Sequence, residues 1–463
     1  MPTDNIILLE SKTLKYTGVT ISNPVPTAIK RGVTALIGPN GSGKSTLALI
    51  IERGRNFSTN KITPFKSDIR IRTIEFGDIH SLSGFKAEYY QQRYESTMND
   101  EVPTIAQLFG SKIDTPVWKK LVTRLHLEGV ESKKVNFLSS GELRKMLIIN
   151  MLFELPDLLI LDNPYIGLDS QGRATVDDTL QSIATEGVSV LLLLCDPADI
   201  PSYTNSIIPI SDLTVRPLDT DIRSIFSFTL NGDIPAPPAP HPATGLEVFR
   251  FDHCKITHGQ TTLLQDVVWQ VRQGECWALS GRNGSGKSTL LSLIHADNPQ
   301  AYARPLYLFG NKRGSGETIW DIKRRIGYIS SEMHLYFNGG NNLVVNVVAQ
   351  GLNDTVGMFR KPSPSQLDTA MRWLRLFRLD NLADRRFSTL STGEQRLALL
   401  ARTLIKNPEL LILDEPLHGL DIARKKAAVQ AIDTLCRRDN TTLVFVTHCP
   451  DELPSCVDRR FDL

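Results

Sequence analysis

The chain has 463 residues, of which 41% are hydrophobic and 22% are charged, and its formal net charge is +2. This length predicts two to four domains, each large enough to enclose its own core, and the composition is ordinary for globular protein. The near-neutral charge excludes a strong general attraction to nucleic acid or to an anionic membrane, although it leaves room for a local basic patch.

Cysteine use and the length of the apolar runs indicate the compartment. Six cysteines are scattered without a C-x-x-C pair, which favours reduced thiols in a cytosolic protein over the disulfide framework of a small secreted domain. Met1 to Glu10 lacks the apolar core of a signal peptide, and runs such as Val188 to Cys195 are far shorter than the roughly 20 residues that span a bilayer. We expect a cytoplasmic protein with no transmembrane segment of its own, either free or peripheral at the inner face of the plasma membrane.

The first informative elements are a strand, a glycine-rich loop and a helix. Val33 to Ile37 is a short apolar strand, Leu47 to Glu52 is helical, and Gly38 to Ser45 between them matches G-x-x-x-x-G-K-[ST]. Such a loop points backbone N–H groups at phosphate oxygens, while its lysine neutralises phosphate charge and its serine places a hydroxyl on Mg²⁺. The candidate nucleotide-binding residues here are Gly38, Asn40, Gly41, Gly43, Lys44, Ser45 and Thr46.

A second motif of this half is L-S-S-G-E at Leu138 to Glu142. The following residues, Gly141 to Leu155, are apolar at helical spacing, and Leu158 to Leu161 then reads as a buried strand that ends at Asp162-Asn163-Pro164. A serine before a helix can cap it and offer a hydroxyl, and glycine allows close backbone approach. The candidate residues of this motif are Ser139 and Gly141.

A proline-rich stretch divides the chain into two halves. Residues 233–245 read D-I-P-A-P-P-A-P-H-P-A-T-G, and this proline density forbids a helix or the interior of a sheet. The stretch is typical of an extended, semi-rigid linker. We therefore predict a first domain over 1–228, a linker over 229–245 and a second domain over 246–463.

The second half repeats the order of the first. Cys276 to Ser280 is a strand, Leu290 to Ala296 a helix, Gly393 to Ile405 a second helix, and Leu410 to Leu413 a strand that ends at Asp414-Glu415-Pro416. From the serine of L-S-x-G-E to the following aspartate is 23 positions in both copies. Such a register indicates an internal repeat. The candidate nucleotide-binding residues are Gly281, Asn283, Gly284, Gly286, Lys287, Ser288 and Thr289, with Ser391 and Gly393 in the second L-S-x-G-E motif.

Strands and helices alternate in each half, which predicts an α/β fold with a mostly parallel sheet and ligands at the carboxyl ends of its strands. The combined motifs resemble those of the ATP-binding cassette (ABC) family of ATPases over essentially the whole chain. That resemblance implies two P-loop NTPase domains of the ABC type, each with a RecA-like, mostly parallel sheet core, an antiparallel β part and a helical subdomain. It identifies Asp162 and Asp414 as Walker B aspartates, and it implies ATP with Mg²⁺ held by Ser45 and Asp162 in one copy and by Ser288 and Asp414 in the other.

The family also closes ATP between two cassettes arranged head to tail. The resemblance therefore completes the first loop with Ser391 and Gly393 of the second copy, and the second loop with Ser139 and Gly141 of the first.

The two copies differ at the residues that the family uses to activate water. The residue after the Walker B aspartate is Glu415 in the second copy and Asn163 in the first, and an amide cannot accept the proton of the attacking water. His448 resembles the family's switch histidine, and an ungapped alignment places Cys195 opposite it. We therefore predict that the second site hydrolyses ATP, with Glu415 and His448 as catalytic residues, and that the first mainly holds ATP.

Two further expectations follow from the resemblance. The family stacks an aromatic residue under adenine, and Tyr16 and His258 stand near that position, although both could equally be residues at a strand edge. The family's glutamine after the next strand is missing, because the strand that ends at Ser330 leads to Ser331 and the matching stretch of the first copy leads to Asp78. Gln91 and Gln92 are an alternative, but they fit a solvated helix better. The missing glutamine weakens the expectation that ATP binding is coupled to a membrane partner.

Within the family, residues 308–331 resemble the soluble tandem-cassette ModF (photorepair protein PhrA) group. The group implies an ATP-binding subunit of a transport system, with a membrane permease at the cytoplasmic face as its partner. The group's name implies molybdate as the transported species. The alternative is a soluble ATP-gated clamp or regulatory protein that acts on a protein or a nucleic acid, although the sequence does not itself indicate nucleic acid. Ribosome-acting, iron–sulfur and DNA-repair tandem cassettes fit less well, because their charged linker, clustered cysteines and zinc or coiled-coil insertions are missing. Double-cassette sugar importers remain an alternative, although in those proteins the catalytic residues are normally lost from the second copy.

Overall fold

A computed structural model describes residues 4–54, 59–75, 102–135, 138, 140–154, 156–166, 168, 170–237, 241, 245–258, 261–281, 285–330, 337, 341–353 and 361–463. These residues form two compact units, the first from those up to Ser227 with Asp421–Ala423, and the second from Phe228–Leu420 and Arg424–Leu463. Within the ranges described, none of the helices has the length and apolar character needed to cross a bilayer.

The first unit has a small antiparallel sheet and a larger, mostly parallel one. The strands are β1 (Asn5–Leu9), β2 (Thr13–Tyr16), β3 (Val19–Ser22), β4 (Thr27–Lys30), β5 (Val33–Ile37), β6 (Ile62–Pro64), β7 (Ile71–Glu75), β8 (Leu158–Asp162), β9 (Ser189–Leu194), β10 (Ser206–Ser211) and β11 (Thr214–Val215). The small sheet has the order β4-β1-β6, and the large sheet has the order β2-β3-β11-β10-β5-β9-β8-β7. Strands β10, β5, β9, β8 and β7 run parallel to one another.

Helices cover both faces of this parallel sheet. They are α1 (Lys44–Arg53), α2 (Ile105–Phe109), α3 (Pro116–Arg124), α4 (Ser140–Leu152) and α5 (Ser170–Thr185). Strand β8 shows how the core is built, because Leu159 and Leu161 face one hydrophobic cluster with α2 to α5, whereas Leu158 and Ile160 face another with α1. A strand buried on both faces reads as a continuous apolar run, which explains why the sequence pattern revealed it.

The second unit repeats this arrangement. Its strands are β12 (Glu247–His258), β13 (Thr261–Arg272), β14 (Cys276–Ser280), β15 (Leu306–Leu308), β16 (Asn311–Lys312), β17 (Ile326–Ser330), β18 (Leu410–Asp414), β19 (Thr442–Val446) and β20 (Arg459–Asp462). Its helices are α6 (Lys287–Ile294), α7 (Ile319–Arg325), α8 (Val344–Ala349), α9 (Pro364–Leu376), α10 (Thr392–Leu404) and α11 (Ile422–Asp439). An antiparallel sheet has the order β13-β12-β15-β16, and a parallel sheet has the order β17-β18-β19-β14-β20. The predicted α/β class, with a mostly parallel core, an antiparallel part and helices, is confirmed for both units.

Two predicted helices begin earlier than the apolar pattern suggested. Helix α1 starts at Lys44 rather than Leu47, and α6 starts at Lys287 rather than Leu290. Glycine stands at each N-cap with a left-handed φ, 102° at Gly43 and 96° at Gly286, so the chain turns directly from loop to helix. The polar first turn carries no apolar signal, which is why periodicity missed it.

The predicted linker, 229–245, has neither helix nor strand over its described residues 229–237, 241 and 245, and its first part packs on the second unit. The Asn231 N–H donates to the Leu376 carbonyl over 2.9 Å, and Arg438 donates to the carbonyls of Ile234 and Pro235 over 2.7 Å and 3.0 Å. Ile234 is buried in the same cluster as α8 to α11. The predicted domain limits of 1–228 and 246–463 stay a prediction.

The parallel strands place the motif residues at one edge of each sheet. Strand β5 ends beside Gly38, β8 ends at Asp162, and β9 ends beside Cys195. In the second unit β14 ends beside Gly281 and β18 ends at Asp414, while β19 ends two residues before His448. Carboxyl ends of parallel strands meet at the same edge, and this edge carries the candidate site.

Candidate functional site

The first glycine-rich loop is folded as a cradle around its lysine. Lys44 Nζ donates hydrogen bonds to the carbonyls of Gly38 and Pro39, each over 2.8 Å, and this side chain is buried. A side chain at Gly38 would bring a Cβ within 2.0 Å of the Ile210 carbonyl oxygen, so only glycine fits there. Gly43 starts α1 with a left-handed φ, and the first turn of a helix points its amide groups out of the N-terminal end. This geometry suits a bound phosphate.

The second loop has the same construction in the part that the structure describes. Lys287 Nζ donates to the Gly281 carbonyl over 2.7 Å, and a Cβ at Gly281 would lie 2.6 Å from Ser285 Oγ. Two residues predicted for this loop, Asn283 and Gly284, lie outside the described residues. The remaining predicted residues are placed in the two loops or in the first turns of α1 and α6, namely Asn40, Gly41, Thr46, Ser288 and Thr289.

Each loop serine lies beside the aspartate that the sequence predicts as a Walker B residue. Ser45 Oγ donates to Asp162 Oδ2 over 2.6 Å, and Ser288 Oγ donates to Asp414 Oδ2 over 3.3 Å. A hydroxyl and a carboxylate are the hard oxygen donors that Mg²⁺ prefers. Burial raises the pKa of Asp162, and burial together with the neighbouring Glu415 raises the pKa of Asp414 to about 6. A nearby cation would offset that penalty, so the residues present fit a magnesium ion.

Glu415 lies at the centre of a polar cluster in the second unit. Its side chain is buried, and that burial raises its pKa to about 7. His418 Nε2 lies 2.7 Å from Glu415 Oε2, and His448 Nε2 lies 3.5 Å from Glu415 Oε1. A carboxylate with a raised pKa that is held beside two imidazoles is suited to proton transfer near neutral pH.

The matching place of the first unit has the same backbone but different chemistry. Asn163 has a φ of 50° and Glu415 has a φ of 52°, so both residues are in the left-handed region. Asn163 Nδ2 donates to Asp162 Oδ1 over 2.7 Å. The positions of the two histidines carry Ile166 and Cys195, of which the cysteine is buried. At these three described positions, the first unit therefore has neither a carboxylate nor an imidazole.

His418 is a residue that sequence reasoning missed. It follows Glu415 by three residues, and the turn between them returns its ring to the carboxylate. The sequence did contain a signal, because aligning L-D-E-P-L-H with L-D-N-P-Y-I sets His418 against Ile166. The replacement of this histidine by isoleucine in the first copy accompanies the replacement of Glu415 by asparagine and of His448 by cysteine.

The L-S-x-G-E motif of the second unit forms a helix start, as predicted. Ser391 is the N-cap of α10, and its hydroxyl accepts a hydrogen bond from the Glu394 N–H while Glu394 Oε2 accepts one from the Ser391 N–H over 2.8 Å. Gly393 lies buried in the first turn. In the first unit, Ser139 lies outside the described residues, and Gly141 is described only as backbone of α4.

The residues predicted to lie under adenine occupy matching places. Tyr16 ends β2 and pairs with Val19 of β3, and His258 ends β12 and pairs with Thr261 of β13. Tyr16 is half-buried against the core of its unit, and only the backbone of His258 is described. Stacking on adenine stays a prediction. The positions considered for the missing glutamine all lie outside the described residues, namely Asp78, Gln91, Gln92 and Ser331.

Comparison with known proteins agrees with this geometry. The protein family described as ABC transporter matches residues 24–166 and 264–418. The ABC transporter ATP-binding protein ModF of Escherichia coli K12 is 33% identical, over 92% of this chain and 90% of that protein. An uncharacterised ABC transporter ATP-binding protein of Schizosaccharomyces pombe is 29% identical, over 92% of this chain and 91% of that protein.

Among solved structures, a ribosome-bound archaeal Pelota and ABCE1 assembly includes a chain that covers 97% of this chain, with a TM-score of 0.58 and 20% identity. This chain covers 76% of that one, and the likeness shows the fold alone. The two matched segments contain both glycine-rich loops and both Walker B aspartates. The chain is therefore a member of the ATP-binding cassette family of ATPases, with two cassettes, and it is similar to ModF.

Proposed function

We propose that the chain binds two MgATP at the interface of its two cassettes and hydrolyses ATP mainly at the site of the second-cassette loop. The cluster of Glu415, His418 and His448 carries this proposal, since the first cassette has Asn163, Ile166 and Cys195 instead. The membership of the family supports ATP as substrate, and the paired loops support one nucleotide for each cassette.

Each group of the second cassette has a proposed task. Lys287 neutralises phosphate charge, and Ser288 and Asp414 hold Mg²⁺, which when bound neutralises charge on the phosphate oxygens. Glu415 accepts the proton of the attacking water, and its pKa of about 7 suits that step. His448 lies beside this carboxylate and donates a hydrogen bond toward the γ-phosphate.

The first cassette retains what is needed to hold ATP. Lys44, Ser45 and Asp162 match their counterparts in the second cassette, and Ser391 with Gly393 would complete this site as Ser139 with Gly141 would complete the other. Asn163 can donate a hydrogen bond but cannot take up a proton at neutral pH. We therefore assign a holding role to this site.

Matched substitutions test the assignment. Glu415→Gln should lower steady-state ATP turnover by about 100-fold or more, because it removes the general base and leaves the volume unchanged. Asn163→Gln, at the equivalent position, should change turnover by no more than about twofold. Filter-binding of labelled ATP would verify that both variants still bind nucleotide. Intact turnover in Glu415→Gln, with turnover lost in the Asn163 variant, would refute the assignment.

The biological role proposed first is that of an ATP-binding subunit of a transport system. Similarity to ModF over nine-tenths of both chains supports it, and molybdate is then the cargo to test first. The partner would be an integral-membrane permease at the cytoplasmic face, which places the chain in the cytoplasm or at the inner surface of the membrane. The similarity to ModF does not test the resemblance to the photorepair protein PhrA, which stays a prediction.

A second role is favoured by one sequence observation. The strand β17 leads to Ser331 where the family has a glutamine, and the matching position of the first cassette is Asp78. We therefore propose that this chain lacks the glutamine by which the family usually couples ATP to a permease. A non-transport, ATP-gated clamp that acts on a protein or a nucleic acid fits this departure.

Capture of the partner separates the two roles. Tagged Glu415→Gln protein would be extracted from its own cells with and without MgATP, beside a Lys44→Ala/Lys287→Ala control that cannot hold ATP. Capture of a permease only in the presence of MgATP would support the transport role. Measurement of molybdate uptake by cells that lack this chain would then test the cargo. Ribosomes, nucleic acid or a non-membrane enzyme, without a permease, would reject that role in favour of the clamp.

A further inference from the structure

Three cysteines that are far apart in sequence meet in the second cassette. Cys276 begins β14, Cys436 lies on α11, and Cys456 lies in the turn before β20. Their Sγ atoms all lie within 4.8 Å of one another. Cys276 and Cys436 are buried, and Cys456 is half-buried. The cysteines that look scattered in sequence therefore include one compact set of thiols.

The fold itself does not require sulfur at these places. The corresponding residues of the first cassette are Val33, Ala184 and Tyr203, with Val33 paired to β9 as Cys276 is paired to β19. At the position of Cys456, the Tyr203 hydroxyl donates a hydrogen bond to the Asp177 carboxylate over 3.0 Å. The thiol set therefore belongs to the second cassette and not to the shared framework.

The environment of the thiols is already ordered. Asp433 Oδ1 accepts hydrogen bonds from the Cys456 N–H over 2.5 Å and from Ser455 Oγ over 2.9 Å. Arg437 Nε donates to the other oxygen of Asp433 over 3.0 Å. These hydrogen bonds hold the turn that carries Cys456 against α11, the helix that carries Cys436.

We propose that Cys276, Cys436 and Cys456 form a binding site for one thiophilic metal ion, Zn²⁺ or Cu⁺, held by three thiolates. Soft sulfur ligands select these ions, and a Zn–S distance of about 2.3 Å separates tetrahedral sulfur ligands by about 3.8 Å. The thiols are within about 1 Å of that separation, which rotation of side chains can supply. The half-buried side of Cys456 leaves room for water as a fourth ligand of Zn²⁺.

Charge and protons balance without any redox step. Each thiol that binds the ion releases its proton to solvent, and each sulfur donates an electron pair to the metal. Three thiolates and one Zn²⁺ carry a single net negative charge, and the Arg437–Asp433 ion pair beside them is neutral as a pair. The site lies at the start of β14, and the phosphate loop follows the other end of that strand. The ion would therefore tie β14, α11 and the turn before β20 together, and would not touch ATP.

Metal titration of the full chain tests the site. Reduced, chelator-treated protein would be titrated with Zn²⁺ in competition with a chromogenic chelator, and with Co²⁺ to observe the thiolate-to-cobalt charge-transfer band. The reduced protein would also be titrated with Cu⁺. The variants are Cys436→Ala and the more exposed Cys456→Ser. The matched control is Cys254→Ala, a buried cysteine of the same cassette that donates to the Pro305 carbonyl over 3.2 Å.

We expect one ion bound per wild-type chain and per control chain, with affinity lowered more than about tenfold in both cluster variants. The midpoint temperature of thermal unfolding should rise on addition of metal only in proteins that keep all three cysteines. Binding of Cu⁺ without Zn²⁺ would also support the site, with a three-coordinate ion. Equal metal binding by Cys456→Ser and the control would overturn it. A disulfide within the cluster, found by mass spectrometry of unreduced protein, would overturn it if the reduced protein binds no metal.

Discussion

At the scale of single residues, Glu415 stands in a conformation that costs the protein stability. Its φ of 52° lies in the left-handed region, which is costly for a long side chain and easier for asparagine. Its carboxyl group is also buried, and this burial raises its pKa to about 7. Asn163 adopts the same φ and satisfies its amide on Asp162. The cost therefore falls on the cassette that we expect to hydrolyse ATP.

Exchange of these two residues should reveal that cost. Glu415→Asn should raise the free energy of unfolding of the second cassette by about 1 kcal/mol, because asparagine tolerates the backbone and removes a buried carboxyl. The same variant should lose ATP turnover. Denaturant unfolding without nucleotide would measure the first effect. Asn163→Glu is the control and should destabilise the first cassette, so a shift of both variants in one direction would contradict the argument.

At the scale of elements, the cap of α10 has two separable roles. Ser391→Ala should destabilise the helix by about 1 kcal/mol, since it removes the hydroxyl that accepts from the Glu394 N–H. Ser391→Asp should keep the unfolding free energy within about 0.5 kcal/mol of the wild type, because aspartate is an equally good N-cap.

The aspartate should nevertheless repel the phosphates of ATP if Ser391 completes the site of the first cassette. We expect Ser391→Asp to retain less ATP there and to bind about one nucleotide for each chain under conditions in which the wild type binds two. Equilibrium dialysis measures this ratio. Unchanged stoichiometry in the aspartate variant would remove Ser391 from the nucleotide site while leaving its capping role intact.

The end of α6 carries a largely buried histidine that should make stability depend on pH. Burial lowers the pKa of His295, whose Nδ1 lies 2.7 Å from Asp297 and whose ring stacks on Tyr328, and Lys323 and Lys406 oppose its protonation. Its folded pKa is below the unfolded value of about 6.5. Its contribution to stability is therefore full above about pH 6.5 and is lost as the pH falls toward the folded value.

The variant His295→Asn keeps a donor for Asp297 but does not titrate. It should lose less unfolding free energy than the wild type between about pH 7.5 and pH 5.5, as measured by urea unfolding at each pH. His253 is the control, because Asp266 raises the pKa of this exposed histidine and its contribution is present at low pH and lost as the pH rises. His253→Asn should therefore steepen the loss slightly, and equal slopes in the two variants would contradict the assignment.

At the scale of the whole molecule, two phosphate loops with one proposed general base, Glu415, predict unequal use of bound ATP. A rapid-quench experiment on chains saturated with labelled MgATP should give a first burst of about one ADP for each chain, with the second ATP retained. Glu415→Gln should remove the burst, whereas Asn163→Gln should keep its amplitude. A wild-type burst of two would show that both sites hydrolyse.

The sequence predicted the buried strands best, because Leu410–Leu413 is covered on both faces and reads as one apolar run. It located Glu415 only through resemblance, since nothing in a single motif tells a general base from a structural acid. The contact between Cys276 and Cys436 was missed because it depends on how the chain folds back in space, and neither spacing nor composition records that return. His418 was missed although it lies three residues from Glu415 and differs between the two copies.

The packing of the first part of the linker has a consequence for the order in which the protein can fold. The groups that fix this stretch, at Leu376 and Arg438, are synthesised long after Asn231 and Ile234 themselves. The first cassette can form its own core while the rest of the chain is still being made. The stretch must wait for the last part of the second cassette, so chains that stop early would carry it unpacked and open to proteases.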